Sequence, residues 1–427
     1  MTPDAQGRRS MLAALGPGIV FAGAAIGVSH LVQSTRAGAV YGLSLIGLVL
    51  LAHLMKLPAM LFGPRYAAAT GRSLVNAYRE QGWHAIGAFG VIQVGTMFTI
   101  QAAVTIVTAA LVKGLVVDPV LGTEAPLWAV SAGVLGICIV PLAIGGYAWL
   151  DRAVKVLMVV MALSTLAAAV TQLPALVEAG LPLLPDFRSL DVAWVVFGVA
   201  LAGWMPAPLD ISVWHSLWTN ARREQTGHRA SRRECEVDFL VGYGLCVVLA
   251  LSFVVLGAAL LHKPGVEPAA GAAPFAVQLV GLYTESLGDW AKPLISVCAI
   301  AVMFSTTLTV LDALPRAAAE TLTVARGGSE AQGAGKAMYW VLLAVIAGGA
   351  LLIITAFADR MRVLVDLATT LSFLATPALA WLNHRAMSSD AVPPEHRPEL
   401  PMKAWSLIGV VFWLGFAGVY VWSVLST

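Results

Sequence analysis

The chain has 427 residues, of which 59% are hydrophobic and 12% are charged, and its formal net charge is +2. Soluble domains carry about 25% charged residues, so this chain lacks the charge needed to cover water-facing surfaces. The composition excludes an ordinary cytosolic enzyme and a disordered protein, and the small net charge excludes a nucleic-acid-binding protein.

Apolar segments long enough to cross a bilayer recur from one end of the chain to the other. A membrane-spanning helix needs about 20 mostly apolar residues. Eleven segments, spans 1 to 11, meet that length: residues 14–38, 42–68, 85–112, 126–147, 151–171, 191–218, 236–261, 288–312, 337–357, 361–383 and 404–425. We therefore predict an all-α integral membrane protein with a single polytopic transmembrane domain, residues 1–427.

Lysine and arginine are concentrated in alternate segments between these spans, most densely in residues 219–234. Cytoplasmic loops are enriched in positive charge, so the N-terminus is predicted to be cytoplasmic and, with an odd number of spans, the C-terminus outside. The expected location is the bacterial inner (cell) membrane. Lys56 is an unusual charge within span 2, and we expect it to pair inside the helix bundle.

Two of the spans are interrupted. Span 1 contains Gly23 and Gly27, and span 6 contains Pro206 and Pro208 followed by Asp210. Proline removes backbone donors and breaks a helix, and broken helices in matching places of two halves indicate a transport site. The spacing predicts a five-plus-five inverted repeat, with residues 14–171 as the first repeat, 191–383 as the second and 404–425 as an additional helix.

A simpler interpretation of the breaks remains open. Gly23 and Gly27 form a small-xxx-small pair, which is typical of close helix packing, and the prolines of span 6 could make only a kink. Asp210 favours the functional interpretation for span 6, because a carboxylate within a membrane span is costly and is a functional candidate by default.

Several motifs resemble the Nramp family of divalent-metal transporters. Span 1 opens with residues 16–18 (Gly-Pro-Gly) and closes with 37–42 (Ala-Gly-Ala-x-Tyr-Gly), and span 6 contains Met205-Pro206 followed by residues 215–217 (His-Ser-Leu). Span 8 carries a Ser/Thr-rich stretch at 305–309. The resemblance implies a LeuT-like fold with helices 1 and 6 interrupted, an eleventh helix and transport by alternating access.

The chain also departs from the family pattern. The family signature Asp-Pro-Gly-Asn falls on residues 27–30, so the metal-binding Asp is replaced by Gly27. In span 6 the His of the Met-Pro-His signature is replaced by Ala207, whereas counting back from His215 places Asp210 at that His. Span 3 lacks the family's acidic residues and span 9 lacks its buried arginines, so the family's route of proton coupling is not predicted here.

The predicted substrate site combines residues of both breaks: Gly27, Ser29, His30, Ala202, Met205, Ala207 and Asp210. Asp210, Met205 and His30 are the predicted metal ligands, because carboxylates suit hard divalent ions and sulfur or imidazole suits softer ones. The alternatives are that His30 is a packed, hydrogen-bonded residue and that Met205 fills the core.

His215 and Asp366 are predicted to take part in proton coupling or gating. His215 could instead cap a polar pocket, and Asp366 could pair with Arg360 or Arg362. Arg36 is expected to anchor the outer end of span 1 at the membrane interface.

The predicted function is secondary active (symport) or facilitative transport of a divalent metal cation of the Mn, Fe or Mg class. The alternative is transport of a non-metal small solute, organic or anionic, by the same fold. Motifs of zinc proteases, serine hydrolases and P-loop proteins are not found, so an enzyme is not expected. The expected partners are the small-ion or small-solute substrate and the lipid bilayer, without a resident cofactor, a nucleic acid or an obligatory protein partner.

Overall fold

The computed structural model describes residues 16–426 except 123–124, 145–147, 187–190, 265, 267, 270, 329–334 and 358–359. Across these residues the chain is helical and contains no strand. The helices are α1 (Pro17–Ala25), a π-helical segment (Ser29–Ser34), α2 (Thr35–Tyr41), α3 (Ile46–Thr70), α4 (Leu74–Glu80), α5 (Trp83–Val112), a second π-helical segment (Lys113–Val117), α6 (Asp118–Leu121), α7 (Leu127–Ile144), α8 (Ala148–Ala179), α9 (Val192–Gly203), α10 (Ile211–Thr226), α11 (Arg232–Leu260), α12 (Ala272–Leu287), α13 (Ala291–Ala325), α14 (Lys336–Ala356), α15 (Met361–Met387), a 3₁₀ turn (Pro394–His396) and α16 (Leu400–Leu425).

Each of the eleven predicted spans coincides with a helix or a broken helix. Within the described ranges, nine helices are long and apolar enough to cross a membrane, and α1 forms a further crossing with residues 29–41 across a bend of 46°. The short apolar helix α9 and helix α10 together occupy the predicted span 6. The ends of the predicted spans 1 and 4, residues 14–15 and 145–147, lie outside the described residues.

The boundary of α13 differs most from its prediction. The apolar pattern ends near residue 312, yet the helix continues to Ala325. Its polar extension is stabilised by side-chain bonds, because Arg316 pairs with Asp312 at 2.7 Å and Glu320 accepts hydrogen bonds from Ser73 and Asn76. A hydropathy pattern does not detect such an extension. Helix α12 was likewise not predicted, since it is amphipathic rather than uniformly apolar.

The broken helix α1–α2 packs on α11 through glycines on both sides of the break. A Cβ atom on Gly18 would lie 2.0 Å from the carbonyl oxygen of Asp238, and one on Gly242 would lie 2.2 Å from that of Gly18. Beyond the break, a Cβ on Gly38 would lie 2.1 Å from the carbonyl oxygen of Val254. These small residues allow backbone-to-backbone contact, the packing typical of membrane helices.

The break between α9 and α10 lies between two other helices that approach it closely. A Cβ on Gly203, the last residue of α9, would lie 2.1 Å from the carbonyl oxygen of Thr369 in α15. A Cβ on Gly63 of α3 would lie 2.1 Å from the carbonyl oxygen of Ser212 at the start of α10. Helices α3 and α15 therefore fix the two half-helices on either side of residues 204–210.

Candidate transport site

The break in the first crossing is closed by neutral hydrogen bonds. Helix α1 ends at Ala25, whose carbonyl oxygen accepts from the backbone N–H of Gly27 at 2.9 Å and from Ser29 Oγ at 2.7 Å. Thr306 Oγ1 on α13 bonds the carbonyl oxygen of Gly23 at 2.9 Å. Short polar side chains thus satisfy carbonyl groups that the interrupted helix leaves without their usual donors.

Gly27 leaves no room for the side chain that the family signature has there. A Cβ at this position would lie 2.8 Å from Cγ2 and 3.0 Å from Oγ1 of Thr306. Thr306 is itself almost fully buried and is bonded to the backbone of α1. The space that a carboxylate at position 27 would need is therefore filled by a side chain of α13.

His30 is directed at α11 rather than at the second break. Its Nε2 lies 3.0 Å from the carbonyl oxygen of Cys246, and its Nδ1 lies 2.7 Å from Ser29 Oγ and 3.1 Å from the carbonyl oxygen of Ala25. Both ring nitrogens are thus engaged by neighbours in this conformation. The structure therefore does not bring His30 together with Met205 and Asp210, and it corresponds to the alternative of a packed, hydrogen-bonded histidine.

The second break carries charged groups. Lys56 of α3 is completely buried, and its Nζ donates to the carbonyl oxygens of Ala202 at 2.8 Å, Gly203 at 2.6 Å and Ala207 at 3.2 Å. The Lys56 Nζ atom also lies 5.3 Å from the ring centroid of Trp413. The partner that the sequence left unknown for Lys56 is therefore the backbone of the broken helix.

Asp210 lies immediately before α10 and is buried, with an exposed fraction of 5%. Its Oδ1 atom is buried without a hydrogen-bond partner, and its carboxylate interacts electrostatically with Lys56. An unsatisfied carboxylate oxygen in such a place is an open acceptor for a cation or a proton. Asp210 is thus the predicted ligand whose geometry best fits a functional role.

Met205 links the second break to the first. It is fully buried, its peptide bond to Pro206 is cis, and its Sδ atom accepts a hydrogen bond from Ser34 Oγ at 3.9 Å. Neighbouring Trp204 donates from Nε1 to Ser372 Oγ at 2.8 Å. The thioether therefore lies between the π-helical segment 29–34 and the end of α9.

A small cavity of about 20 Å³ lies between α1, α5, α10 and α13, next to both breaks. Its lining is mainly apolar, and it includes two tryptophans. The lining residues are Ala24, Ala25, Val28, Ser29, Ile100, Val104, Trp204, Ala207, Pro208, Ile211, Trp214, Thr306 and Val310. Ser29 and Ala207 from the two breaks therefore share one cavity, whereas Asp210 does not line it.

A much larger vestibule, of about 610 Å³, opens beside the N-terminal end of α1. It is lined by α1, α8, α10 and α13, and its charged or polar lining includes Lys155, Arg222, Ser305, Thr309 and Asp312. The vestibule reaches Gly23, so it comes within a turn of the first break.

The opposite end of the first crossing is closed by an ion pair. Arg36 contacts both carboxylate oxygens of Asp366, at 2.7 and 3.1 Å, and Gln33 Nε2 donates to Asp366 Oδ1 at 3.0 Å. Two expectations are thereby corrected. Asp366 pairs with Arg36 rather than Arg360 or Arg362, and Arg36 is 12% exposed, held over the ring of Phe197 rather than spread at an interface.

His215 lies within α10, five residues after Asp210. Its ring stacks on Phe21 at a centroid distance of 5.7 Å and is also packed against Trp218 and Phe239. Both ring nitrogens are buried without a hydrogen-bond partner. The aromatic surroundings hold the ring in place, and the structure does not bring it to either break.

The sequence is similar to that of known membrane transporters over most of its length. The sequence profile of the Nramp family (natural resistance-associated macrophage protein-like) matches residues 18–423. An uncharacterized protein of Pasteurella multocida is 33% identical over 417 residues, which is 96% of this chain and 92% of that protein. The divalent metal cation transporter MntH of Deinococcus radiodurans is 26% identical over 70% of this chain and 67% of its own length.

Solved transporter structures share the architecture at low sequence identity. A manganese transporter of Eremococcus coleocola superposes with a TM-score of 0.66 at 13% identity, over 97% of this chain and 94% of that one. MhsT in complex with L-phenylalanine gives a TM-score of 0.67 at 16% identity, over 95% and 98%. The predicted LeuT-like fold and the resemblance to Nramp proteins are confirmed, and the chain is a multi-pass membrane transporter rather than an enzyme.

Proposed function

This chain belongs to the Nramp family, and from that premise we propose that it moves a divalent metal cation across a membrane by alternating access. Two relatives support a metal as cargo, since one is a divalent metal cation transporter and another a manganese transporter. We place it in the bacterial cell membrane with the N-terminus cytoplasmic, because positive charge is concentrated in the segments that this topology puts inside.

The observation that carries the proposal is the buried Oδ1 atom of Asp210, which has no hydrogen-bond partner beside the second break. A buried carboxylate oxygen without a partner is the ligand type that Mg²⁺ and Mn²⁺ prefer. The Met205 thioether at the same break is a softer candidate ligand, and His30 enters the set only if its ring turns from α11. Within the described residues no three His, Cys, Asp or Glu side chains form a metal site. A cargo ion bound here would therefore keep several waters, as Mg²⁺ does.

In the proposed cycle this conformation is the inward-facing one. The vestibule beside α1 then opens to the cytoplasm, and the pair Arg36–Asp366 closes the outer side. Asp366 would act in gating by releasing Arg36 when the transporter turns outward. His215 stays a candidate for proton coupling, because its buried nitrogens have no partner.

The test is metal flux into proteoliposomes containing the purified chain. Uptake of Mn²⁺ or Mg²⁺ above empty vesicles is expected, and Asp210→Asn should lower it at least tenfold, because it removes the only charged candidate ligand. Asp390→Asn is the matched control, since that carboxylate pairs with Arg397 and is fully exposed. Absence of flux for Mn²⁺, Fe²⁺ and Mg²⁺ alike, in protein that remains folded, would refute a metal cargo.

A second candidate cargo is a small organic solute, and it is favoured by the lining of the small cavity. Trp204, Trp214 and the aliphatic residues around them resemble the apolar lining of organic-ligand sites more than a metal site, although the cavity of about 20 Å³ would have to widen to admit such a solute. The same vesicles distinguish the two cargoes. Uptake of a small organic solute that persists with the metal removed by chelation, without any metal flux, would select this candidate.

A further inference from the structure

The ammonium group of Lys56 occupies a complete binding site made of backbone oxygens. An ammonium has three N–H donors, and each has a carbonyl acceptor within 3.2 Å, on Ala202, Gly203 and Ala207. The side chain has no exposed surface, and the face of Trp413 lies against the charge. Lys56 is therefore held as a bound cation would be held, with its ligands on all sides.

The second break needs positive charge for two reasons. The last carbonyl groups of α9 carry the partial negative charge of a helix C-terminus, and Pro206 and Pro208 lack the N–H groups that could otherwise satisfy them. Asp210 adds a negative charge when it is ionised, and its electrostatic interaction with Lys56 is then favourable. A cation at this position compensates both the partial charge of the carbonyl groups and the charge of Asp210. The cation can be a side chain of the protein or a dissolved ion.

In transporters with broken helices, unwound carbonyls and half-helix C-termini commonly hold a dissolved cation. In this chain α3 supplies the cation instead. Close packing fixes α3 in position, because Gly63 allows its backbone to approach within van der Waals distance of Ser212 in α10. The ammonium is thus brought to the break by the same helix contact that aligns α10.

We propose that Lys56 is a resident cation, which fills a cation site at the second break and so makes the carbonyl oxygens of Ala202, Gly203 and Ala207 unavailable to dissolved ions. The break is then stable without added cations. A transported ion, if it binds at Asp210, must do so without these oxygens. The proposal concerns binding and stability, and it holds for either candidate cargo.

The first experiment measures the melting temperature, Tm, of the full chain in detergent as single cations are added, with choline chloride holding ionic strength constant. We expect Na⁺ and K⁺ to leave the Tm of the wild type unchanged, and we expect Mg²⁺ or Mn²⁺ to raise it only by binding as cargo at Asp210. Lys56→Met keeps the length of the side chain but removes the charge, so its Tm should fall by about 5 °C or more. One of these cations should restore it in a saturable manner.

Two control variants separate charge from packing. Lys56→Arg retains the positive charge, and its Tm should respond to added cations as that of the wild type does. Lys113→Met removes a lysine that pairs with Asp118 away from the break, and it should show no cation-dependent recovery. A Lys56→Met protein that is as stable as the wild type, and whose Tm responds to the four cations as that of the wild type does, would overturn the proposal.

A second measurement uses only the wild type, so that it stands even where Lys56→Met does not fold. Crystals soaked in Rb⁺ or Mn²⁺ are examined for anomalous scattering near the second break. No peak is expected within coordinating distance of the carbonyl oxygens of Ala202, Gly203 and Ala207. A peak bound to those three oxygens would overturn the proposal. Neither experiment depends on flux, so failure of the proposed metal transport would be seen separately.

Discussion

The two breaks in this transporter are stabilised by different chemistry. In the first, Ser29 and Thr306 close the interrupted backbone with neutral hydrogen bonds. In the second, an ammonium from α3 bonds the buried carbonyl groups at the end of α9, and a carboxylate at position 210 lies beside them. Gly27, which stands where the family signature has a carboxylate, does not leave a gap, because the side chain of Thr306 fills the space. The charged groups of the site therefore all lie at the second break.

The largest effect is expected when a carboxylate is introduced at the first break, which has only neutral groups in the wild type. Gly27→Asp should lower the free energy of unfolding by about 3 kcal/mol or more, because the new side chain meets Thr306 and buries an unpaired charge. Thermal unfolding measures the loss. The double variant with Thr306→Ala should recover part of it, and equal stability of the single variant and the wild type would show that position 27 is not crowded.

A smaller effect is expected from a substitution of His30. It tests whether this residue of the first break contributes to stability rather than to metal binding. His30→Ala should cost about 1–3 kcal/mol, because it removes the hydrogen bond between the ring and the Cys246 carbonyl of α11 and leaves a cavity where the buried ring was packed. Tm is compared with Mn²⁺ affinity from calorimetry. Stability should fall while affinity changes less than twofold. A loss of affinity as large as that of Asp210→Asn would identify His30 as a ligand instead.

The smallest predicted effect lies outside both breaks, at the ion pair that closes the opposite end. Asp366→Asn should weaken that closure by about 1 kcal/mol, since the pair is partly exposed. The equilibrium between the inward-facing and outward-facing conformations should therefore shift about fivefold toward the outward-facing one. The readout is thiol labelling of Ser305→Cys in the vestibule, because the four native cysteines are buried. Labelling should slow in the Asp366→Asn background. An unchanged rate would show that the pair does not hold this conformation.

Much of the architecture could be predicted from the sequence, because apolar length is the property that decides where a chain crosses a membrane. The two breaks were predicted as well, since glycine and proline act locally. The residue at which α13 ends was not, because the apolar pattern stops near residue 312 and the contacts of Glu320 with Ser73 and Asn76 join segments far apart in the chain.

The site itself could be predicted only in part. The partners of Lys56 are backbone oxygens 146, 147 and 151 residues away, and a carbonyl group leaves no signature in a sequence. One signal was available: a lone lysine in an apolar span requires acceptors, and the proline-rich break is where acceptors are freed. For Asp366, nearness in sequence favoured Arg360 and Arg362, whereas the fold brings Arg36 from the other half of the chain.

The glycine contacts between α1–α2 and α11 have a mechanical consequence. Backbone meets backbone above and below the first break, and Asp238 also accepts hydrogen bonds from the N–H groups of Gly16 and Gly18. These close contacts and hydrogen bonds oppose any sliding of one helix along the other. We therefore expect the broken helix and α11 to move together as one unit when the transporter changes conformation.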